Sequence, residues 1–258
     1  MRFSIIVPNY NNGPWLDRCL ESIANQKYKD FELIFVDDVS TDNSIEIYER
    51  WADKMPAAKT LVKLRRKRYN GGARNAGMMW RRGQYTLFMD SDDWLADDMC
   101  FNAIDDAIRA NNEPDLIRLS YYFCMGQDEH VVDLSAQNTI DKIVPDINVA
   151  CWTKCVKSDK LVQFPENTLM EDVIQHIAQL DATDTVAVCD KPIVKWNRNN
   201  ANSCSKNNGP QGNKWRSSLY RYYADLLDLR VDRAECQIEL DKRRSQALDN
   251  IRNDRYEQ

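Results

Sequence analysis

Apolar and polar residues fall into alternating blocks along the first 120 positions. "FSIIVP" (3–8) is a β-branched run closed by a proline, which predicts a short strand. "PWLDRCLESIANQ" (14–26) spaces Trp15, Leu16, Cys19, Leu20 and Ile23 as one face of a helix. "FELIFVDD" (31–38) predicts a second buried strand. "DNSIEIYERWADK" (42–54) predicts a second helix, with Asp42 as its N-cap. "TLVKL" (60–64) is a third strand, with a helix over 72–82 behind it. "YTLFMD" (85–90) is a fourth strand, "DDMCFNAIDDAIRAN" (97–111) a helix, and "DLIRLSYYF" (115–123) follows. Strands separated by helices of this length imply βαβ units and an α/β fold on a mostly parallel sheet. Ligands of such sheets bind at the carboxyl ends of the strands. Three of those ends carry polar clusters: "PNYNN", "DDVSTD" and "DSDDW".

Beyond about residue 121 the pattern changes. The pieces "HVVDL", "TVAVCD" and "PIVKWN" surround one clear helix, "MEDVIQHIAQLD" (170–181), and predict a mixed extension of the same core. Residues 199–213 are rich in Asn, Ser and Gly and read as a mobile loop. A long helical tail follows, with Trp215, Leu219, Tyr222, Tyr223 and Leu226 on one face. Its last two dozen residues are highly charged and are expected to be solvated.

Composition narrows the class. A chain of 258 residues with 43% hydrophobic and 29% charged residues is a soluble globular one. No run of 18 apolar residues indicates a membrane span, and the N-terminus reads as a first strand, not a signal peptide. The eight cysteines contain no C-x-x-C and there are only two histidines, which argues against zinc. Cysteines inside apolar segments read as free thiols of a reducing, cytoplasmic protein. The net charge of −5 is uneven: residues 59–82 hold nine cations and no acid, leaving −14 on the rest. Such a basic stripe points to an anionic ligand or surface.

Candidate chemistry collects at the strand ends. Asp90 and Asp92, with Asp93 beside them, form an oxygen-only cluster suited to Mg²⁺ or Mn²⁺. A D-x-D on extended chain puts both carboxylates on one side. Asp97 and Asp98 are better explained as the acidic start of the next helix. Asp38 ends a strand and is a candidate nucleotide contact, whereas Asp42 suits turn formation. "YNGGARNAG" (69–77) opens a helix that carries Arg74, a ready anion site. Glu171 and Asp172 sit together at a helix start; taken alone they are ordinary N-terminal helix acids.

The motifs "SIIVPNYNN", "FELIFVDDVSTDNS", "NGGARNAG", "GQYTLFMDSDDW", "WTKCVKSD" and "MEDV" resemble, in order and spacing, those of family 2 glycosyltransferases. The resemblance covers roughly residues 1–205. It implies a GT-A fold: a catalytic domain over 1–205, with a nucleotide-sugar half (1–120) and an acceptor half (121–205), then a helical extension over 206–258. It further implies that Pro8, Asn9 and Tyr10 line a base pocket and that Asp38 binds the base, usually uracil. Arg74 would lie near the diphosphate. Asp90 and the neighbouring Ser91 would contact the nucleotide sugar, Asp92 would ligate the metal, and Asp172 of the Glu171–Asp172 pair would be the general base. "WNRNNANS" resembles the segment that folds over the donor, with Arg198 near the phosphates. Val39 departs from the family, which often has glycine there.

The implied activity is metal-dependent, inverting transfer from a UDP-sugar to an acceptor hydroxyl. Acceptor readings stay open. One is a glycan or lipid-linked saccharide, with peripheral contact to the inner membrane face. The other is nucleic acid, such as hydroxymethylated bases of viral DNA in an infected cell, read through the basic stripe. A non-catalytic sugar-nucleotide binder, a nucleotidyltransferase and a homodimer through the C-terminal helix are the remaining alternatives.

Overall fold

The structure, a computed structural model, describes residues 1–55, 57–146, 149–166, 168, 170–201, 203 and 213–256. Four parallel strands form its first half, in the order β3 (Ala58–Lys63), β2 (Phe31–Asp37), β1 (Phe3–Asn9) and β4 (Tyr85–Phe88). Every residue of β1, β2 and β4 is buried. That is why they read as unbroken apolar runs. Asn9 pairs with Asp37, and Ile6 with Phe88. The three polar strand ends therefore meet at one edge.

Beyond β4 the sheet continues through β8 (Lys154–Lys157), β6 (Leu116–Met125), β9 (Val186–Asn197) and the two-residue β5 (Trp94–Leu95), while β7 (Asp128–Val132) pairs with β6. "TVAVCD" and "PIVKWN", expected as separate pieces, are one strand. A register irregularity between Leu119 and Tyr121 of β6 lies opposite the stretch of β9 that holds Pro192, where a residue without an N–H is tolerated.

Helices α1 (Gly13–Ala24), α2 (Ser44–Ala52), α3 (Tyr69–Met78) and α4 (Cys100–Ala110) connect the parallel strands. Gly77 seats α3 on the sheet: a Cβ there would lie 2.5 Å from Ile6 and 3.0 Å from Val36. Asp42 is not the N-cap of α2. Its carboxylate accepts the Ser44 N–H (3.1 Å) and the Gly13 N–H (2.9 Å), tying together the starts of two helices. The helix α4 begins at Cys100, after the acids, because Asp97 bonds the Met99 N–H (2.8 Å) and Lys191, while Asp98 pairs with Lys27.

The short α5 (Ile140–Ile143) and α6 (Glu171–Asp181) precede two tail helices, α7 (Asn213–Asp228) and α8 (Ala234–Tyr256). The charged end of the tail is not simply solvated. Cys236, Leu240, Ala247 and Ile251 are buried with Tyr222, Leu226, Ile174, Ile177 and Leu180 in a second core. Their 4-7-4 spacing is a helical stripe of apolar residues hidden among charges. The stripe of α8 is thus turned inward. The loop expected over 199–213 lies mostly outside the described residues, as do Cys204 and the Trp215 and Leu219 side chains. The other seven cysteines are buried free thiols, and no described helix is long and apolar enough to cross a membrane.

Val39 follows β2 with φ 64° and a side chain 38% exposed. The left-handed region costs a β-branched residue roughly 1–2 kcal/mol, against about 0.5–1 kcal/mol of extra chain entropy for glycine. Val39→Gly is therefore expected to raise the urea midpoint, by about 0.5–1 kcal/mol of stability. A lowered midpoint would show that contacts of the Val39 side chain outweigh the strain.

Candidate active site

The D-S-D-D segment is a turn, not the extended chain expected. The Asp93 N–H donates to the Asp90 carbonyl at 3.0 Å, so the strand stops at Phe88 and the chain reverses. Asp90 keeps about a third of its side chain exposed, whereas Ser91 and Asp93 are buried. Asp93 accepts the Asn197 N–H (2.8 Å), and Asp92 accepts the Asn200 amide (2.7 Å). Burial, and then the charge of Asp90, push the Asp92 carboxyl up to about 6. Burial and both neighbours raise Asp93 further.

Arg74, 1% exposed on α3, is the centre of the site. Its Nη2 donates to Asp90 Oδ1 (2.8 Å), and its Nη1 to Glu171 Oε1 (2.9 Å) and Asp172 Oδ1 (3.1 Å). The guanidinium also lies over the Phe164 ring, 5.1 Å from its centroid. Phe164 is fixed by Asn75, whose amide exchanges two hydrogen bonds with the Phe164 backbone. One cation thus faces three carboxylates. Burial and the Asp172 charge bring Glu171 up to about 7, and burial raises Asp172 against the pull of Arg74. Glu171 is enclosed (7% exposed) and Asp172 is the more open of the two (28%).

The other expected residues are spread around this centre. Pro8 and Asn9 are buried at the end of β1, with Asn9 bonded to Ser40 (3.1 Å). The Asn9 Oδ1 is buried without a partner among the described residues. Tyr10 is 45% exposed, and the Lys67 ammonium covers its ring. Asp38 is buried and accepts the Arg68 and Tyr69 N–H groups (2.7 and 2.8 Å), with Lys67 at 3.6 Å. Burial still holds its carboxyl above the ordinary value. The Arg198 guanidinium stacks on Trp196 at 4.6 Å.

Sequence reading missed Asn12 and Asn200. Asn200 bridges Asp92 and the Asn12 side chain (3.3 Å), and Asn12 donates to Ser91 (2.8 Å). Asn200 stands two residues after Arg198 in the same polar segment, so the signal was present but rested on the wrong residue. The basic stripe is partly neutralised, although Lys59, Arg65 and Arg66 stay exposed. Arg74 is internal, Arg82 pairs with Glu32 (2.7 Å), Arg68 with Glu166, and Lys63 with Glu49 (4.0 Å).

The donor set fits a hard cation. Asp90 and Asp92 offer only oxygen donors, and a divalent ion would offset the burial and the Asp90 charge that raise Asp92. Among the described residues no cluster of three or more His, Cys, Asp or Glu forms a metal cage; the candidate is this carboxylate pair.

The profile of the family described as Glycosyl transferase family 2 matches residues 4–131. The minor teichoic acid biosynthesis protein GgaB of Bacillus subtilis is 31% identical over 177 residues, 64% of this chain and 19% of that protein. The chain spans between 15% and 50% of the lengths of three curated relatives it matches. Residues 1–349 of S. aureus TarS, solved with UDP-GlcNAc, superpose with a TM-score of 0.74 at 21% identity, over 93% of this chain and 70% of that one. The mannosyltransferase PcManGT of Pyrobaculum calidifontis, solved with GDP-Man and Mn²⁺, gives 0.66 at 16% identity, over 94% and 69%. These likenesses establish the GT-A fold.

A carboxyl raised above its unfolded value stabilises the fold when protonated, and that contribution is lost as pH rises through the folded pKa. Asp93→Asn keeps an oxygen for the Asn197 N–H and removes the charge. In EDTA it is expected to raise the urea midpoint at pH 8 and to do so much less at pH 5. A larger gain at pH 5 than at pH 8 would contradict the raised Asp93.

Proposed function

The chain belongs to glycosyltransferase family 2, and from that premise we propose that it transfers a sugar from UDP to an acceptor hydroxyl with inversion. The observation that carries this reading is the Arg74 hub, which sets a strand-end carboxylate and a helix-start carboxylate on one guanidinium. Asp172 is the general base. It is the more open of the two helix acids, and its raised pKa suits a group that takes a proton near neutral pH. It removes the hydroxyl proton as the acceptor oxygen attacks the anomeric carbon from the face opposite the nucleotide. The bond to the diphosphate oxygen breaks with its electron pair. A single displacement needs one base, unlike the two-carboxylate glycosidases. Glu171, enclosed and bonded to Arg74, orients that guanidinium.

The donor end is held by the residues around β1, β2 and β4. Tyr10 and Asp38 face the base, with Pro8 and Asn9 behind them. Asp90 and Ser91 meet the sugar nucleotide, and Asp93 supports the turn. Arg198 reaches the phosphates from its perch on Trp196. Asp92 and Asp90 would hold Mn²⁺ or Mg²⁺, which as a Lewis acid neutralises a leaving diphosphate. Arg74 contributes positive charge to the same place while bridging Asp90 and Asp172.

UDP as carrier is supported by the TarS complexes with UDP-GlcNAc and UDP. The names of TarS and GgaB concern poly(ribitol-phosphate) and teichoic acid, which favours a polymeric glycan or polyol-phosphate acceptor, met on the cytoplasmic side. None of these names concerns nucleic acid, and the exposed basic residues alone give that acceptor no comparable support.

Asp172→Asn is expected to slow UDP release from UDP-GlcNAc by about 10²–10⁴-fold while changing UDP affinity, by calorimetry, less than threefold. In the unaltered protein the acid limb of activity should lie above the ordinary aspartate range, activity falling as pH drops through it. Normal turnover by the variant would remove Asp172 from the mechanism.

A further inference from the structure

Lys154, on β8, is only 1% exposed. Its ammonium donates to the Val149 carbonyl (2.9 Å), the Ala150 carbonyl (3.2 Å) and His176 Nδ1 (3.2 Å), all neutral. A buried cation without a directly bonded counter-charge is costly: burial, and then Arg118, bring the Lys154 ammonium down to about 7, and a methionine of similar length would fill the space more cheaply. The imidazole is set to receive it. His176 Nε2 lies 3.1 Å from the Ile143 carbonyl and so carries the proton, which leaves Nδ1 as acceptor. Burial, with Lys154 and Arg118 nearby, holds His176 well below its ordinary pKa, hence neutral.

The two anchors of this ammonium both lead to Asp172. His176 follows Asp172 by four residues on α6, one turn along the same face. The Val149–Ala150 carbonyls run directly into the 3₁₀ turn Cys151–Thr153, whose buried Cys151 is close enough to Asp172 for the carboxylate to help hold its thiol protonated. The other charges facing Lys154 are Arg118, ion-paired to Asp146, and Asp172 itself, whose ionised form the ammonium favours.

We infer that Lys154 is a positioning residue for Asp172: by joining the Val149 and Ala150 carbonyls to His176, it fixes the Cys151 turn against the first turn of α6. The inference rests on Asp172 being the base. Asp38, Asp92 and the end of β1 make none of these contacts, so UDP binding is expected to change less than turnover.

Three variants of the full chain test it, each assayed for UDP affinity, for UDP release from UDP-GlcNAc in Mn²⁺, and for its urea midpoint. Lys154→Met removes the ammonium. His176→Asn places an oxygen where Nδ1 stood, and His176→Leu fills the volume but accepts nothing. UDP affinity should stay within threefold in all three. Turnover should fall at least tenfold in Lys154→Met and His176→Leu, while His176→Asn keeps at least a third. A role confined to packing gives the opposite order, with Leu better than Asn. That order, or Lys154→Met within twofold of the unaltered protein, overturns the inference. Should Lys154→Met not fold, the His176 pair decides. Absence of UDP binding in the unaltered protein instead counts against the donor reading, and normal turnover by Asp172→Asn against the base assignment.

Discussion

A single buried guanidinium organises the chemistry. Arg74 is withdrawn from solvent, so its charge is tolerated only because carboxylates surround it. Those carboxylates come from places far apart in the chain: Asp90 at the end of β4, Glu171 and Asp172 at the start of α6. Holding Arg74 in place therefore aligns the turn after β4 with the start of α6. The balance is deliberately acid-rich in effect, with one cation to three acids here and Asp92 and Asp93 beyond. Burial, and then that excess, lifts several carboxyl groups above their ordinary values. The same environment suits the roles proposed for Asp172 as a base near neutral pH and for Asp90 and Asp92 as holders of a hard cation.

The scaffold serves this arrangement by making its turns from buried polar contacts. Asp38 closes the chain between β3 and α3 by accepting two backbone N–H groups. Asn75 locks α3 to the segment at Phe164, and the close seat of Gly77 on β1 and β2 sets how deep α3 lies. Depth matters, because Arg74 reaches all three acids only if α3 is pressed onto the sheet. The second core, where α6 packs on the tail helices, holds the other side of the same site.

The parallel half of the fold was legible because strands buried on both faces leave contiguous apolar runs, as in Phe3–Asn9 and Phe31–Asp37. The clustering of Asp38, Arg74, Asp90 and Asp92 near one sheet edge was legible for the same reason, since each follows or precedes such a run. The remainder is long-range. Nothing local in "MEDV" says that Glu171 and Asp172 meet Arg74, nearly 100 positions earlier. Strand β8 is four residues long and carries two lysines, so it gives no periodic signal, yet it delivers Lys154. The stripe in α8 was concealed by the charges around Cys236, Leu240, Ala247 and Ile251. The turn at Asp90–Asp93 defeated the extended reading because its closing bond is made by backbone groups.

The claim that Arg74 is the common partner of both sets of acids is tested most directly by a double-mutant cycle read by urea unfolding. Arg74→Met is expected to cost about 3–5 kcal/mol in the unaltered background, because it strands buried carboxylates. In a Glu171→Gln, Asp172→Asn background the same substitution should cost less, by an interaction energy of about 1–3 kcal/mol. Equal losses in the two backgrounds would contradict the account, since Arg74 and the helix acids would then contribute independently.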